Sequence, residues 1–336
     1  MKHRTPFMQK KHICIIVPAY NEKDNIEELY IRITKVMKNI QQYTYEIRVI
    51  DNNSTDGTRK KIEEICAKDI RFKAIFNTRN FGPVRSPIYN LYNANGNAVI
   101  VLCADLQDPP ELIPEFLKKW EEGYKLVMGV RTGSEEKGLM PLLRKLYYTS
   151  LKKISEVEQL PGVTGFGLYD RDVIKILRTI NDPYPYLRGL ICELGWPIAK
   201  IPFFRPERKH GISSYNFLRY MEEGMLGVVT QSRIPLHIST LIGFCISALS
   251  FIAAIYYFIL KLTNWNSFQL GIAPAIIGIF FLLGVLFLVV GIIGEYIGLI
   301  TTQILHRPLV IEEKRINFES QNINTQPLQS NEQKEK

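Results

Sequence analysis

His12-Ile13-Cys14-Ile15-Ile16-Val17-Pro18-Ala19-Tyr20-Asn21-Glu22 is the stretch that decides the architecture. Residues 12–17 form a short apolar run rich in β-branched side chains, and a polar segment follows at once. A strand buried on both faces and ending at a sheet edge reads this way. Working outward, short strands keep alternating with helix-like segments. Asn25–Ile40 reads as a helix, Glu46–Ile50 as a strand, Thr58–Lys68 as a helix and Phe72–Phe76 as a strand. Val84–Ala94 follows as a helix, Ala98–Cys103 as a strand, Leu112–Glu121 as a helix and Lys125–Val130 as a strand. The pattern predicts βαβ units, an α/β fold and a mostly parallel sheet.

Ligands of such sheets gather at the carboxyl ends of the strands, and three polar clusters fall there. They are Pro18-Ala19-Tyr20-Asn21-Glu22, Asp51-Asn52-Asn53-Ser54-Thr55-Asp56-Gly57-Thr58 and Cys103-Ala104-Asp105-Leu106-Gln107-Asp108-Pro109-Pro110-Glu111. Each also has a structural reading. Asn21, Asp24, Thr55 and Asp56 are residues that cap helices, and Pro109-Pro110 starts one. Asp51 is different: nothing beside it in sequence supplies a cation, so a ligand-binding role is favoured. No GxGxxG follows the first strand and no GxxxxGK[ST] occurs, which disfavours a dinucleotide fold and a P-loop enzyme.

The rest of the chain is of another material. Residues 238–260 and 272–294 each run 23 positions without a charge, enough to cross a bilayer as a helix. A wholly soluble protein and a many-span transporter are both excluded. Only Lys261 is charged in the connection 261–271, while Arg233, His306 and Arg307 flank the spans on the other side. The positive-inside rule then puts both termini in the cytoplasm. The net charge of +9 suits anionic headgroups and anionic substrates rather than nucleic acid. Five scattered cysteines without a CxxC pair argue against a structural zinc site and a redox motif. Residues 13–17 are too short for the apolar core of a signal peptide.

Taken in register, VPAYNE, DNNSTDGT and ADLQDPPE resemble the inverting glycosyltransferases of family 2, whose nucleotide-sugar domain has the GT-A fold. Further blocks narrow the likeness: Thr164–Arg171, Pro185–Leu190, Arg208–Tyr215, and Arg307-Pro308-Leu309 after the second apolar stretch. Over about residues 11–312 the chain is similar to the polyprenyl-phosphate (bactoprenol) glycosyltransferases and, more distantly, to dolichyl-phosphate mannose synthase. The resemblance implies a cytoplasmic GT-A catalytic domain (1–212), a juxtamembrane segment (213–235), a two-helix transmembrane hairpin (236–303) and a cytoplasmic tail (304–336). The tail's composition reads as largely disordered.

The same resemblance implies roles. Pro18, Tyr20, Glu22, Asp51 and Asp105 hold the nucleotide-sugar. Asp105 and Gln107 belong to a DxD-type site for Mg2+ or Mn2+, hard ions that take oxygen ligands and share them with phosphates. Arg131, Arg144 and Arg208 hold the acceptor phosphate, and Asp105, Arg131 and Arg144 carry the transfer. The partners implied are a UDP-sugar donor, a polyprenyl-phosphate acceptor, the bilayer and a second copy of the chain. The acceptor oxygen attacks the anomeric carbon and UDP leaves. A phosphate monoester, with a second pKa near ~6, needs no general base. Asp108 is open to that role and equally to helix capping.

The sequence departs from the fuller pattern at Cys103, which stands where many relatives carry the first Asp of DxD; a thiol is a poor ligand for Mg2+. The structural reading has Cys103 end the buried strand as a small apolar residue. Asn52 and Asn53 replace a frequent Asp-Gly, and asparagine tolerates the left-handed backbone such a turn needs. Alternatives in other classes are a processive synthase, disfavoured by the absence of a QxxRW signature, and a membrane scaffold that kept the fold and lost the chemistry. Donors such as UDP-GlcNAc or GDP-mannose stay open. Gly284, Gly291, Gly294 and Gly298 are spaced to seat a hairpin partner or a neighbouring subunit.

Overall fold

The computed structural model describes residues 10–134, 160, 162–180, 182, 184–206, 224–230, 232, 234–263, 272–305 and 307–318. Eight strands form one sheet: β1 His12–Ala19, β2 Thr44–Asp51, β3 Phe72–Asn77, β4 Ala98–Val101, β5 Leu126–Ser134, β6 Val163–Asp170, β7 Ile198–Arg205 and β8 Glu312–Ile316. Their order is β7-β5-β6-β4-β1-β2-β3-β8. β1 pairs in parallel with β2 and β4, β2 with β3, and β5 with β7. Only β6 and β8 run the other way. The expected mostly parallel α/β sheet is observed.

Helices α1 Ile26–Lys38, α2 Thr58–Lys68, α3 Gly82–Asn93, α4 Ile113–Glu121, α5 Arg171–Ile180 and α6 Leu187–Glu193 cover the sheet. The unbroken apolar character of β1 is explained by its two faces. Ile13, Ile15 and Val17 pack with Ile26, Leu29 and Ile33 of α1 and Phe116 of α4. Cys14 and Ile16 pack on the opposite side with Ile88 of α3 and Ile174 and Leu177 of α5. Side chains of a strand alternate between faces, so both registers must be apolar when both are covered. Truncating a fully buried member such as Ile33 to Ala costs about 2–5 kcal/mol.

β6 carries the Thr164–Arg171 block and is wedged antiparallel between β4 and β5. The wedge is tight: a Cβ on Gly129 of β5 would stand 2.6 Å from the Phe166 ring. The sequence pattern did not predict this strand, because Gly165 and Gly167 interrupt its apolar run.

After the sheet domain come two long helices, α7 Ile234–Thr263 and α8 Ile272–Ile304. Among the described residues one helical stretch, Phe281–Ile304, is long and apolar enough to cross a membrane. Large apolar side chains stand exposed along both helices, among them Phe244, Phe251, Phe281 and Phe287. Among the described residues nothing lies within 4 Å of a Cβ position on Gly284, Gly291, Gly294 or Gly298. The end of α8 is fastened to the sheet domain: Gln303 Nε2 donates to Asp182 Oδ1 at 2.9 Å, and Arg85 donates to the Pro308 carbonyl.

The expectation of an irregular tail from residue 304 needs correction. Glu312–Ile316 forms β8, antiparallel to β3. Asn317, at φ 63°, donates its amide to the carbonyls of Cys66 and Phe72 at 2.7 and 2.9 Å. Phe318 is covered by the Arg48, Lys73 and Arg315 side chains. A strand of mostly charged residues looks like tail in composition; it is held as an edge strand because β3 offers it unpaired backbone groups. Residues 319–336 lie outside the described residues.

Candidate active site

The carboxyl edge of β1, β2 and β4 is built from interlocked loops. Ala19 is in register with Asp51, and the chain beyond each strand is tied to its neighbour. Asn21 N donates to Ser54 Oγ at 2.9 Å, and Thr55 N donates to Asn21 Oδ1 at 2.9 Å. Glu22 N donates to Thr58 Oγ1 at 2.8 Å. Asp56 closes the turn before α2, accepting from Thr58 N at 2.9 Å and from Lys23 N at 3.2 Å, while the N-cap position itself is Gly57. Asn21 therefore laces two loops and does not cap α1. The turn after β2 keeps its shape without glycine: Asn53 takes φ 64°. Asn52 is buried and pins the β3–α3 loop, donating to Asn80 Oδ1 at 2.8 Å and accepting from Phe81 N at 2.9 Å.

Four of the five residues expected to hold the nucleotide-sugar gather on these loops: Pro18 and Tyr20 half-buried, Glu22 and Asp51 buried. Glu22 accepts from Asn25 Nδ2 at 2.5 Å. Asp51 is wholly buried; its Oδ2 accepts from Ser54 N at 3.2 Å, while Oδ1 is sealed in without a hydrogen-bond partner. Burial pushes its carboxyl above the usual range against the Ser54 bonds and the nearby Arg59. A buried acceptor without a partner costs free energy until something donates to it. A uracil N3–H or a ribose hydroxyl has the chemistry to do so.

The third cluster leaves β4 at Val101 and runs in an alternating pattern. Leu102, Ala104, Leu106 and Asp108 are buried; Cys103 is exposed, and Asp105 and Gln107 are half-exposed. Cys103, Asp105 and Gln107 thus share the open side of one extended loop, Leu106 at φ 60° notwithstanding. Cys103 does not end the strand as a buried apolar residue, because β4 stops two residues earlier. Asp108 Oδ2 accepts from Cys103 N at 3.1 Å, closing the loop on itself rather than capping the helix turn. Burial, then the Asp105 charge, push the Asp108 carboxyl up to about 6, against the Cys103 N–H and the Arg131 guanidinium.

Among the described residues no three His, Cys, Asp or Glu side chains cluster as a metal cage. One carboxylate and one amide oxygen are what a hard cation takes when a bound diphosphate supplies further oxygens. The donor set of Asp105 and Gln107 fits Mg2+ or Mn2+ on those terms, and Cys103 adds nothing to it.

Arg131 stands near the end of β5, its N–H donating to Gly162 O at 3.1 Å. The structure brings it to Asp108 on the Asp105 loop. Arg144 and Arg208 lie outside the described residues. Two cations escaped the sequence reading. Arg59, in the first turn of α2, reaches Asp51 at 3.4 Å; it is eight positions away, and only the tight β2–α2 turn returns it. Arg205, the last residue of β7, lies 3.6 Å from Asp105 and donates to Gln107 Oε1. Its sequence signal was an arginine three positions before Arg208 at the end of an alternating segment.

The sequence model of the glycosyl transferase family 2 matches residues 14–177. A Bacillus subtilis (strain 168) protein, CsbB, named as an unproven glycosyltransferase, is 36% identical over 92% of this chain and 94% of its own length. The bactoprenol glucosyl transferase of Shigella phage SfV is 30% identical over 89% of this chain and 97% of its own. A solved structure of glucosyl-3-phosphoglycerate synthase from Mycobacterium tuberculosis, in complex with Mn2+, UDP and phosphoglyceric acid, is 16% identical, with a TM-score of 0.44 over 66% of this chain and 77% of that one. This chain belongs to glycosyl transferase family 2, and it is a glycosyltransferase.

Proposed function

We propose that this enzyme transfers one hexose, glucose in the first instance, from a UDP-sugar to a polyprenyl phosphate in the bilayer, inverting the anomeric configuration. Relatives named bactoprenol glucosyl transferases, matched over nearly their whole length, support the acceptor class. The observation that carries the reading is β8. It follows the long apolar helices in sequence, yet it hydrogen-bonds to β3 in the same sheet as the site. In this reading the chain leaves and returns on one side, which calls for an even number of crossings between β7 and β8. If α8 crosses, α7 crosses too; its 30 residues reach about 45 Å at 1.5 Å per residue. This supports the reading of a two-helix hairpin at 236–303 between a catalytic domain (1–212), a juxtamembrane segment (213–235) and a tail (304–336) that contains β8. Arg233 and Arg307 at the domain end of the helices favour a cytoplasmic site.

In this reading Asp51 accepts from the uracil or ribose, and the Pro18–Glu22 loop walls the nucleotide. Asp105 and Gln107 would hold Mg2+ or Mn2+, which when bound neutralises charge on the leaving diphosphate. Arg131, with Arg144 and Arg208, holds the acceptor phosphate, since a guanidinium fork matches phosphate oxygens. Fixed cations are needed because donor and acceptor are both anionic and repel. The acceptor phosphate is largely deprotonated at neutral pH, so the protein is asked to position it and not to remove a proton.

The test is transfer from radiolabelled UDP-sugars to undecaprenyl phosphate in detergent, with Mg2+, Mn2+ or EDTA. A lipid product carrying one sugar, lost with EDTA, is expected. Transfer to water alone, or to a growing glycan, would overturn the acceptor. Arg131→Ala should raise the apparent KM for the lipid phosphate about tenfold or more with little change for the donor; the reverse split would remove Arg131 from the acceptor site.

A further inference from the structure

The two oxygens best suited to a divalent ion are already engaged. Arg205 Nη2 lies 3.6 Å from Asp105 Oδ2, and the same nitrogen donates to Gln107 Oε1. Gln107 Nε2 donates in turn to the Pro206 carbonyl at 3.0 Å, so the amide is held with its oxygen toward the guanidinium. Asp105 Oδ1 accepts from Gln107 N at 3.1 Å, which fixes the carboxylate. Both charged side chains are mostly shielded, at 20% and 17% exposure. Backbone pairing sets the position: Arg205 is in register with Ser134 at the end of β5, the strand that carries Arg131.

We propose that Arg205 is the resident cation of the metal site. It competes with the divalent ion for Asp105 and Gln107, and the donor diphosphate admits the ion by taking Arg205 as its own partner. The proposal rests on the metal and donor roles given above for this site. Three physical points carry it. A guanidinium and a divalent cation cannot share the same carboxylate and amide oxygens at bonding distance without strong repulsion. The open side of the loop presents a thiol, Cys103, and not a second carboxylate, so the divalent ion has one anionic ligand fewer with which to displace the arginine. A diphosphate offers Arg205 paired oxygens in the geometry its fork prefers. By linkage, whatever draws Arg205 off Asp105 strengthens the ion, and the ion strengthens the nucleotide by the same factor.

The experiment is Mn2+ titration of the full-length protein in detergent, followed by the electron paramagnetic resonance of free Mn2+. It is run with and without UDP, with correction for the ion UDP binds in free solution. Wild-type protein should bind Mn2+ weakly alone and at least about tenfold more tightly with saturating UDP. Arg205→Gln should bind Mn2+ about tenfold more tightly than wild type without UDP, and the gain from UDP should shrink. Arg205→Lys keeps the charge but cannot fork across both oxygens, so it should fall between the two. Mn2+ affinity in both variants equal to or weaker than wild type without UDP, in protein with a wild-type melting temperature, overturns the proposal. If Arg205→Gln does not fold, Arg205→Lys alone decides it by the same comparison with wild type. Asp105→Asn separates the metal site from the role of Arg205. Unchanged Mn2+ binding in that variant would overturn the metal site itself, whereas lost binding there with no gain in the Arg205 variants would overturn only the role of Arg205.

Discussion

Strand β2 carries two buried acids five residues apart, and they are opposites. Glu46, near its amino end, meets Lys73 Nζ at 2.6 Å and His12 Nε2 at 3.9 Å. Burial alone would raise its carboxyl, but His12, Lys73 and Arg48 together hold it down to about 2. Asp51, at the carboxyl end, has Arg59 at 3.4 Å on one oxygen and no partner on the other, and burial holds its carboxyl above the usual range. Same strand, same chemical group, comparable shielding: one acid is completed by the fold and the other is left incomplete. The difference separates an acid that the fold completes from one that it leaves incomplete, and the incomplete one stands at the carboxyl edge of the sheet, where the proposed function places the donor.

The largest expected effect lies on the incomplete side. Asp105→Ala should lower sugar transfer by at least about a thousandfold with an unchanged melting temperature. Full activity in that variant would dissolve the contrast, since the carboxyl edge would then carry no needed acid. Next comes Asp51→Asn, which should weaken UDP binding about ten- to a hundredfold while the protein melts no lower at pH 7. Asp51 is an acid whose folded pKa is raised, so its burial costs nothing below the unfolded value of 3.8, costs progressively more as the pH rises from there, and costs the full amount above the folded value. A lower melting point together with intact UDP binding would make Asp51 a second Glu46.

Glu46→Gln tests the completed side. Its folded pKa is depressed, so its contribution is fully present above about 4.5, the unfolded value, and is lost as pH falls towards about 2. The loss amounts to up to about 3 kcal/mol, and the variant should show a flatter stability profile across that acid range with unchanged UDP affinity at pH 7. A denaturant series between pH 2 and 6 reads it directly. The smallest effect belongs to Glu313→Gln, which removes the exposed partner of Arg59 on β8. Donor affinity should move less than about threefold; a larger shift in a donor titration would mean that the strand beyond the membrane helices tunes the nucleotide site.

Much of this was legible beforehand, for identifiable reasons. Buried strands and amphipathic helices leave periodic traces, and the predicted helix Thr58–Lys68 matches α2 end to end. The polar clusters were readable because parallel sheets put all their carboxyl ends on one edge. Three things were not readable. β6 is a strand only by virtue of the gap between β4 and β5, and its glycines suppress the pattern. Arg59 and Arg205 matter through register and turn geometry, since neither neighbours its carboxylate in sequence. Glu312–Ile316, with four charges in five residues, has the composition of a tail and becomes a strand only because β3 presents a free edge.

The sequence by itself determined the order of strands and helices, the location of the polar clusters at strand ends and the two long apolar segments. These follow from periodicity and composition, which are local properties. Only the tertiary structure decided which acids find partners and which do not, that an arginine sits on the candidate metal ligands, and that the chain re-enters its own sheet after the apolar helices. Those outcomes depend on pairing between segments up to about 250 positions apart, and no local pattern encodes a partner that the fold alone brings near.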